Sequence, residues 1–108
     1  MSAKSAATPP WAKDLKAAVD ALIEGSLSAR AYCEACVERV RSSEPSIKAW
    51  VAFDESRALA IAATRDVRDA HGSLHGIPVG VKDIFDTDDL PTEMGSAAFV
   101  GTLPAPNV

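Results

Sequence analysis

No run of apolar residues in this sequence approaches the length of a membrane span, and its lysines and arginines are nowhere clustered. The first absence excludes a helical span, which needs about 20 consecutive apolar residues, and so argues against a membrane partner. The second argues against a nucleic-acid partner, because proteins hold the phosphate backbone by displacing counterions with grouped positive charge. A net charge of −4 points the same way. Residues 1–10 are small and polar with no apolar centre, unlike a secretory signal, so the expected location is the cytoplasm.

Cysteine is also scarce: only Cys33 and Cys36 occur. With His71 and His75 they superficially suggest a zinc site, but 34 residues separate Cys36 from His71, and Gly72 and Gly76 interleave the histidines. That spacing does not fit a zinc finger, and the expectation is that no metal is bound. A redox pair is disfavoured too, because both cysteines fall inside a helical pattern instead of at a helix start that would stabilise a thiolate. Buried, reduced thiols are expected.

What remains is a chain of 108 residues, an ordinary size for one domain, without internal repeats. Hydrophobic residues make up 47%, but 20 residues are alanine, so the area available for burial is smaller than that fraction suggests. Residues 1–9 read as a disordered tail. From Pro10, a favoured first-turn residue, Trp11, Leu15, Ala18, Val19, Leu22 and Ile23 recur at helical spacing, and Gly25 can end that helix. Ser28 suits the N-cap of a second helix striped by Ala29, Tyr32, Cys33, Cys36, Val37 and Val40, which Pro45 interrupts. Residues 49–53, Ala-Trp-Val-Ala-Phe, suit a strand. Asp54 then caps a third helix expected over 55–70 and ended by Gly72, with Ala58, Leu59, Ala62 and Ala63 on one side.

A second strand is expected over 79–85, with Gly80, Lys82 and Ile84 on one face and Val79, Val81, Asp83 and Phe85 on the other. Beyond Asp86 the chain reads as loop. Three helices and two strands do not close a sheet, so the fold class predicted is α/β, the beginning of a larger domain with strand edges in need of partners. Lys82 stands out within it. A lysine among Val79, Val81, Ile84 and Phe85 must reach solvent, pair with a carboxylate such as Asp86, or lose its proton.

Gly76-Ile77-Pro78, Lys82-Asp83, Pro91-Thr92 and Gly95-Ser96 occur in that order and register. The segment resembles the amidase signature family of serine hydrolases, and the resemblance extends from about Leu22 to the end of the chain. It implies a mixed sheet flanked by helices, of which residues 10–108 are the N-terminal part. It implies that Lys82 is the ultimate base of a Ser, cis-Ser, Lys triad, with burial among apolar groups disfavouring the charged amine. The two serines of that triad lie in a Gly/Ser-rich segment several dozen residues beyond the Gly-Ser pair, past Val108. Neither metal nor organic cofactor is implied.

The remaining motif residues have simpler readings beside the functional ones. Gly76 and Pro78 shape the entry into the expected strand, and Asp83 is read as structural. Thr92, Gly95 and Ser96 are candidates for the active-site neighbourhood, with turn formation the plainer role of Thr92 and Gly95. Gly-Ser alone is a weak nucleophile signal for Ser96, and the resemblance assigns the nucleophile elsewhere. His75 is read as a loop residue. Two functional classes follow. One is an amidase fragment, inactive alone, whose complete relative hydrolyses a small-molecule carboxamide. The other is a non-catalytic interaction module or one chain of a split enzyme, with a complementing chain or self-association mediated by the helices over 10–41.

Overall fold

The computed structural model describes residues 8–67 and 72–85. They form two units. One comprises described residues in 8–49, 54–67 and 72–78, and the other comprises 50–53 and 79–85.

The first unit is helical. Its opening turn, Pro10–Ala12, is a 3₁₀ helix, closed by the Ala12 N–H on the Pro9 carbonyl at 2.9 Å. The α-helix expected from Pro10 starts only at α1, Leu15–Glu24. The reason is Asp14, whose extended backbone interrupts the helix while its Oδ1 accepts the Ala17 N–H at 2.8 Å. At the other end Gly25 takes the left-handed conformation (φ 81°) as expected, and beyond it the Leu27 N–H returns to the Ala21 carbonyl at 3.2 Å.

Helix α2 runs Ala29–Ile47 from the Ser28 cap, straight past Pro45. Proline removes one hydrogen bond to the carbonyl four residues back, but in the last turn that loss costs little continuity. The helix ends instead at Lys48, which adopts the left-handed conformation (φ 54°) and donates its N–H to the Glu44 carbonyl. Helix α3, Glu55–Asp66, is capped by Asp54 as expected, but it ends at Val67, short of Gly72. The expected continuation over 68–70 lies outside the described residues.

Packing is dominated by small side chains. Ala29, Cys33, Val37 and Ala62 form the central cluster, with Leu22, Ala58 and Leu59 against it, while Ala18, Ala21 and Tyr32 are also buried. Helix α2 therefore serves as the common wall for α3 and the 3₁₀ turn. Trp11 of that turn lies under the Arg39 guanidinium, 4.5 Å from its ring centroid. Arg41 of α2 grips both oxygens of Glu55 on α3.

The start of α2 is satisfied from far away in sequence. The Asp66 carboxylate, on the last residue of α3, accepts the Ala29 N–H at 2.6 Å and the Arg30 N–H at 3.0 Å. Ser28 Oγ takes the Ala31 N–H at 3.0 Å. The first three amides of α2, which no helical carbonyl can reach, are thus all paired, and a negative charge sits at the positive end of the helix.

The α/β expectation is not met: the described residues contain three α-helices and a 3₁₀ turn, with no strand and no sheet. The two expected strands fail for local reasons. Residues 49–53 follow the left-handed Lys48 and bend at Val51, and in 79–85 the Phe85 N–H turns back to the Lys82 carbonyl at 3.2 Å. Neither stretch has a hydrogen-bonded neighbour strand among the described residues, and unpaired short strands are not stable on their own. The expectations for residues 1–7 of the tail and for the loop from Asp86 onward lie outside the described residues.

Asp66→Ala is expected to destabilise the helical unit by about 1–3 kcal/mol, the range for losing hydrogen bonds to a charged group. Asp66→Asn, which keeps one acceptor oxygen, should fall between wild type and Ala. Denaturant unfolding followed by circular dichroism reads both.

Candidate active site

The segment that carries the motif is divided between the two units. Its first half, Gly76-Ile77-Pro78, belongs to the helical unit and is fastened there twice. The turn over residues 73–76 is closed by the Ile77 N–H on the Leu74 carbonyl at 3.0 Å. His75 Nε2 lies 2.9 Å from the Arg65 carbonyl of α3. A carbonyl only accepts, so Nε2 carries the hydrogen and donates it. His75 is a loop residue, as expected, with an anchoring contact that the spacing did not reveal.

Gly76 has a positive φ of 83°, and a Cβ built on it would meet Ala29 Cβ at 3.1 Å and Leu22 Cδ1 at 3.6 Å. Two independent requirements therefore select glycine: a backbone conformation that L side chains rarely adopt, and a close approach to the start of α2. The expected role of Gly76 in shaping entry to a strand becomes a role in docking the turn onto the helices.

The second half, Val79 to Phe85, shares a unit with Trp50 to Phe53. The Trp50 and Phe53 rings lie 5.2 Å apart at 48°. Gly80 lies beside Trp50, where an added Cβ would be 3.4 Å from Cη2. The space that glycine leaves next to Lys82 in sequence is thus bordered by indole.

Lys82 itself is exposed, as are Val79, Val81, Ile84 and Phe85, so the expected burial of this lysine is not what these residues provide. Among the described residues no carboxylate lies within ion-pair distance of its amine. Asp83 is different: it is half-buried, with Oδ2 shielded from solvent. The two halves of the Lys-Asp pair therefore diverge, lysine outward and aspartate inward. The candidates Thr92, Gly95 and Ser96 lie outside the described residues, and so does Asp86, the carboxylate considered as a partner for Lys82.

The cysteines are not part of this segment. Cys33 is buried in the helical core and Cys36 is half-buried, both reduced. Burial pushes both thiols up from their ordinary range, which disfavours the thiolate needed for redox or metal chemistry. His71 lies outside the described residues, and among the described ones no three potential ligands are grouped to hold a metal ion. No described helix is long and apolar enough to cross a membrane.

Gly76→Ala is expected to cost more stability than Gly25→Ala. Both positions have positive φ, a strain of about 1–2 kcal/mol for an L side chain. Only Gly76 of the two has a neighbour within 4 Å of the new methyl group. Parallel denaturant titrations of the two variants separate backbone strain from the contact with Ala29.

The family model described as Amidase matches residues 31–107. The chain is 38% identical over 97 residues to the A-subunit of a glutamyl-tRNA(Gln) amidotransferase from Chloroflexus aggregans, covering 86% of this chain and 20% of that protein. It is 43% identical over 75 residues to an amidase of Pseudomonas putida, covering 67% and 16%. To the A-subunit of a glutamyl-tRNA(Gln) amidotransferase from Myxococcus xanthus it is 36% identical over 87 residues, covering 77% and 18%. No solved structure matches the chain. The chain spans about one fifth of the length of these curated relatives. The match over most of its residues means that the chain belongs to the amidase family.

Proposed function

We propose that residues 10–108 are the N-terminal part of an amidase domain and that Lys82 is its catalytic base. The observation that carries this reading is the ordered motif Gly76-Ile77-Pro78, Lys82-Asp83, Pro91-Thr92 and Gly95-Ser96 in a chain that belongs to the family. The outward course of the Lys82 side chain supports it, since an exposed amine is accessible to groups supplied from elsewhere.

In the complete enzyme a nucleophilic serine attacks the carboxamide carbonyl, and its proton passes through a bridging serine to the neutral Lys82 amine. The proton returns to the leaving nitrogen, which departs as ammonia or an amine, and water then hydrolyses the acyl-enzyme to the carboxylate. Both serines, and the apolar cover that favours a neutral amine, are assigned to the part of the relatives' length that these residues do not span. Thr92, Gly95 and Ser96 are assigned to the neighbourhood of the reacting groups, not to the nucleophile. The proposed location is the cytoplasm.

A second reading is that the complement arrives on a separate chain. It is favoured by the relatives whose names make them one subunit of an amidotransferase. In either case the 108-residue chain alone should release no ammonia from carboxamides. Hydrolysis by the isolated chain that disappears in Ser96→Ala would overturn this assignment of roles.

The positive test is a hybrid in which this chain replaces the segment it matches in the Pseudomonas putida amidase. Hydrolysis is expected in the hybrid and its loss in Lys82→Met, by at least about 10²-fold, the lower end of the contribution of general acid–base catalysis. A Lys82→Met hybrid with the parent rate would sink the base assignment. Mixing the chain with a separate polypeptide carrying the rest of that amidase distinguishes the readings: restored hydrolysis favours a complementing chain, and none favours a single polypeptide.

A further inference from the structure

Trp50 precedes the motif by a long stretch of sequence and has no place in it, yet the structure puts its indole against the backbone at Gly80, two residues before Lys82. A Cβ on Gly80 would stand 3.4 Å from Trp50 Cη2, in ordinary van der Waals contact, so the indole lies directly beside the main chain here. The indole is itself braced, with the Phe53 ring 5.2 Å away at a tilt of 48°. On the other side of Lys82 the Phe85 N–H bonds to the Lys82 carbonyl at 3.2 Å. The lysine backbone is therefore bracketed, by an aromatic platform before it and a closed turn after it.

We infer that Trp50 is a positioning residue for Lys82. It fixes the course of the Gly80–Lys82 backbone and hence the point from which the long, flexible lysine side chain extends. The inference rests on the reading of Lys82 as the base. A base with four rotatable carbons gains most from a fixed backbone, because misplacing a reacting group by about 1 Å can cost on the order of 10²-fold in rate. Trp50 and Phe53 together do for this segment what ladder hydrogen bonds do for a strand, and Asp83, next to Lys82 in sequence, is half-buried with Oδ2 shielded from solvent. Trp50 touches none of the reacting atoms in this role.

Two measurements test it. In the 108-residue chain, amide hydrogen exchange at Phe85 reports the turn that holds Lys82. Exchange should accelerate by about tenfold in Trp50→Ala, equivalent to about 1.4 kcal/mol of lost local stability, and stay near wild type in Trp50→Phe, which keeps an aromatic platform. Equal protection in Trp50→Ala and wild type overturns the inference.

In the hybrid amidase, Trp50→Ala should lower kcat by about tenfold or more with KM nearly unchanged, and Trp50→Phe should restore most of it. An unchanged kcat in Trp50→Ala, or an equal loss in Trp50→Phe, counts against positioning. The parallel Lys82→Met hybrid separates the two ideas. If Lys82→Met is inactive while Trp50→Ala is unimpaired, the positioning role fails and the base assignment stands; if Lys82→Met is active, the base assignment fails first.

Discussion

The carboxylate of Asp66 at the head of α2 is the interaction on which the helical unit is organised. It closes a loop of 36–37 residues between the end of one helix and the beginning of another, and does so with two charge-assisted hydrogen bonds to amides that nothing else in the helix can reach. Its neighbour Arg65 offers the carbonyl that receives His75. Ala29, whose amide Asp66 holds, is the residue against which Gly76 rests. Two consecutive residues at the end of α3 thus tie down both the start of α2 and the turn from which the Gly-Ile-Pro motif emerges. The glycine of that motif is a packing requirement before it is a signature.

An alanine-rich core makes such polar ties matter more. Each buried alanine removes little apolar area from water, and among the described residues four of the seven buried hydrophobic ones are alanine. Small side chains let helices approach closely but contribute little per contact, so caps, the bidentate Arg41–Glu55 pair and the Arg39–Trp11 stack carry a larger share of specificity than they would over a leucine core. The exposed Val79, Val81, Ile84 and Phe85 in the second unit show the other side of the same shortage.

The legible parts of the fold are those governed by neighbours in sequence. Ser28 and Asp54 are recognisable as caps because each is a short acceptor directly before a helical pattern, and Gly25 as a stop because only glycine enters the left-handed region without cost. Asp14 is not legible in the same way, because the periodicity of Trp11, Leu15 and Ala18 runs through it, and apolar spacing does not register a cap that breaks the backbone. Pro45 fails to interrupt α2 because the effect of a proline depends on how close the helix end is. The strand expectation for 49–53 and 79–85 fails because alternation states what a strand would bury, not whether a partner strand is there to pair with it. In the candidate site, the motif is legible as a family resemblance, while the exposure of Lys82, the half-burial of Asp83 and the indole beside Gly80 are not.

Sequence by itself determined the helix-forming segments and the membership in a family of amidases, because propensity, capping and a motif in fixed register are all properties of residues close together along the chain. Tertiary structure alone decided which groups distant in sequence meet: Asp66 with the start of α2, His75 with Arg65, Gly76 with Ala29, and Trp50 with Gly80. A carboxylate, an imidazole or an indole can satisfy its contacts with many partners, and nothing in its local sequence says which one packing will bring within reach.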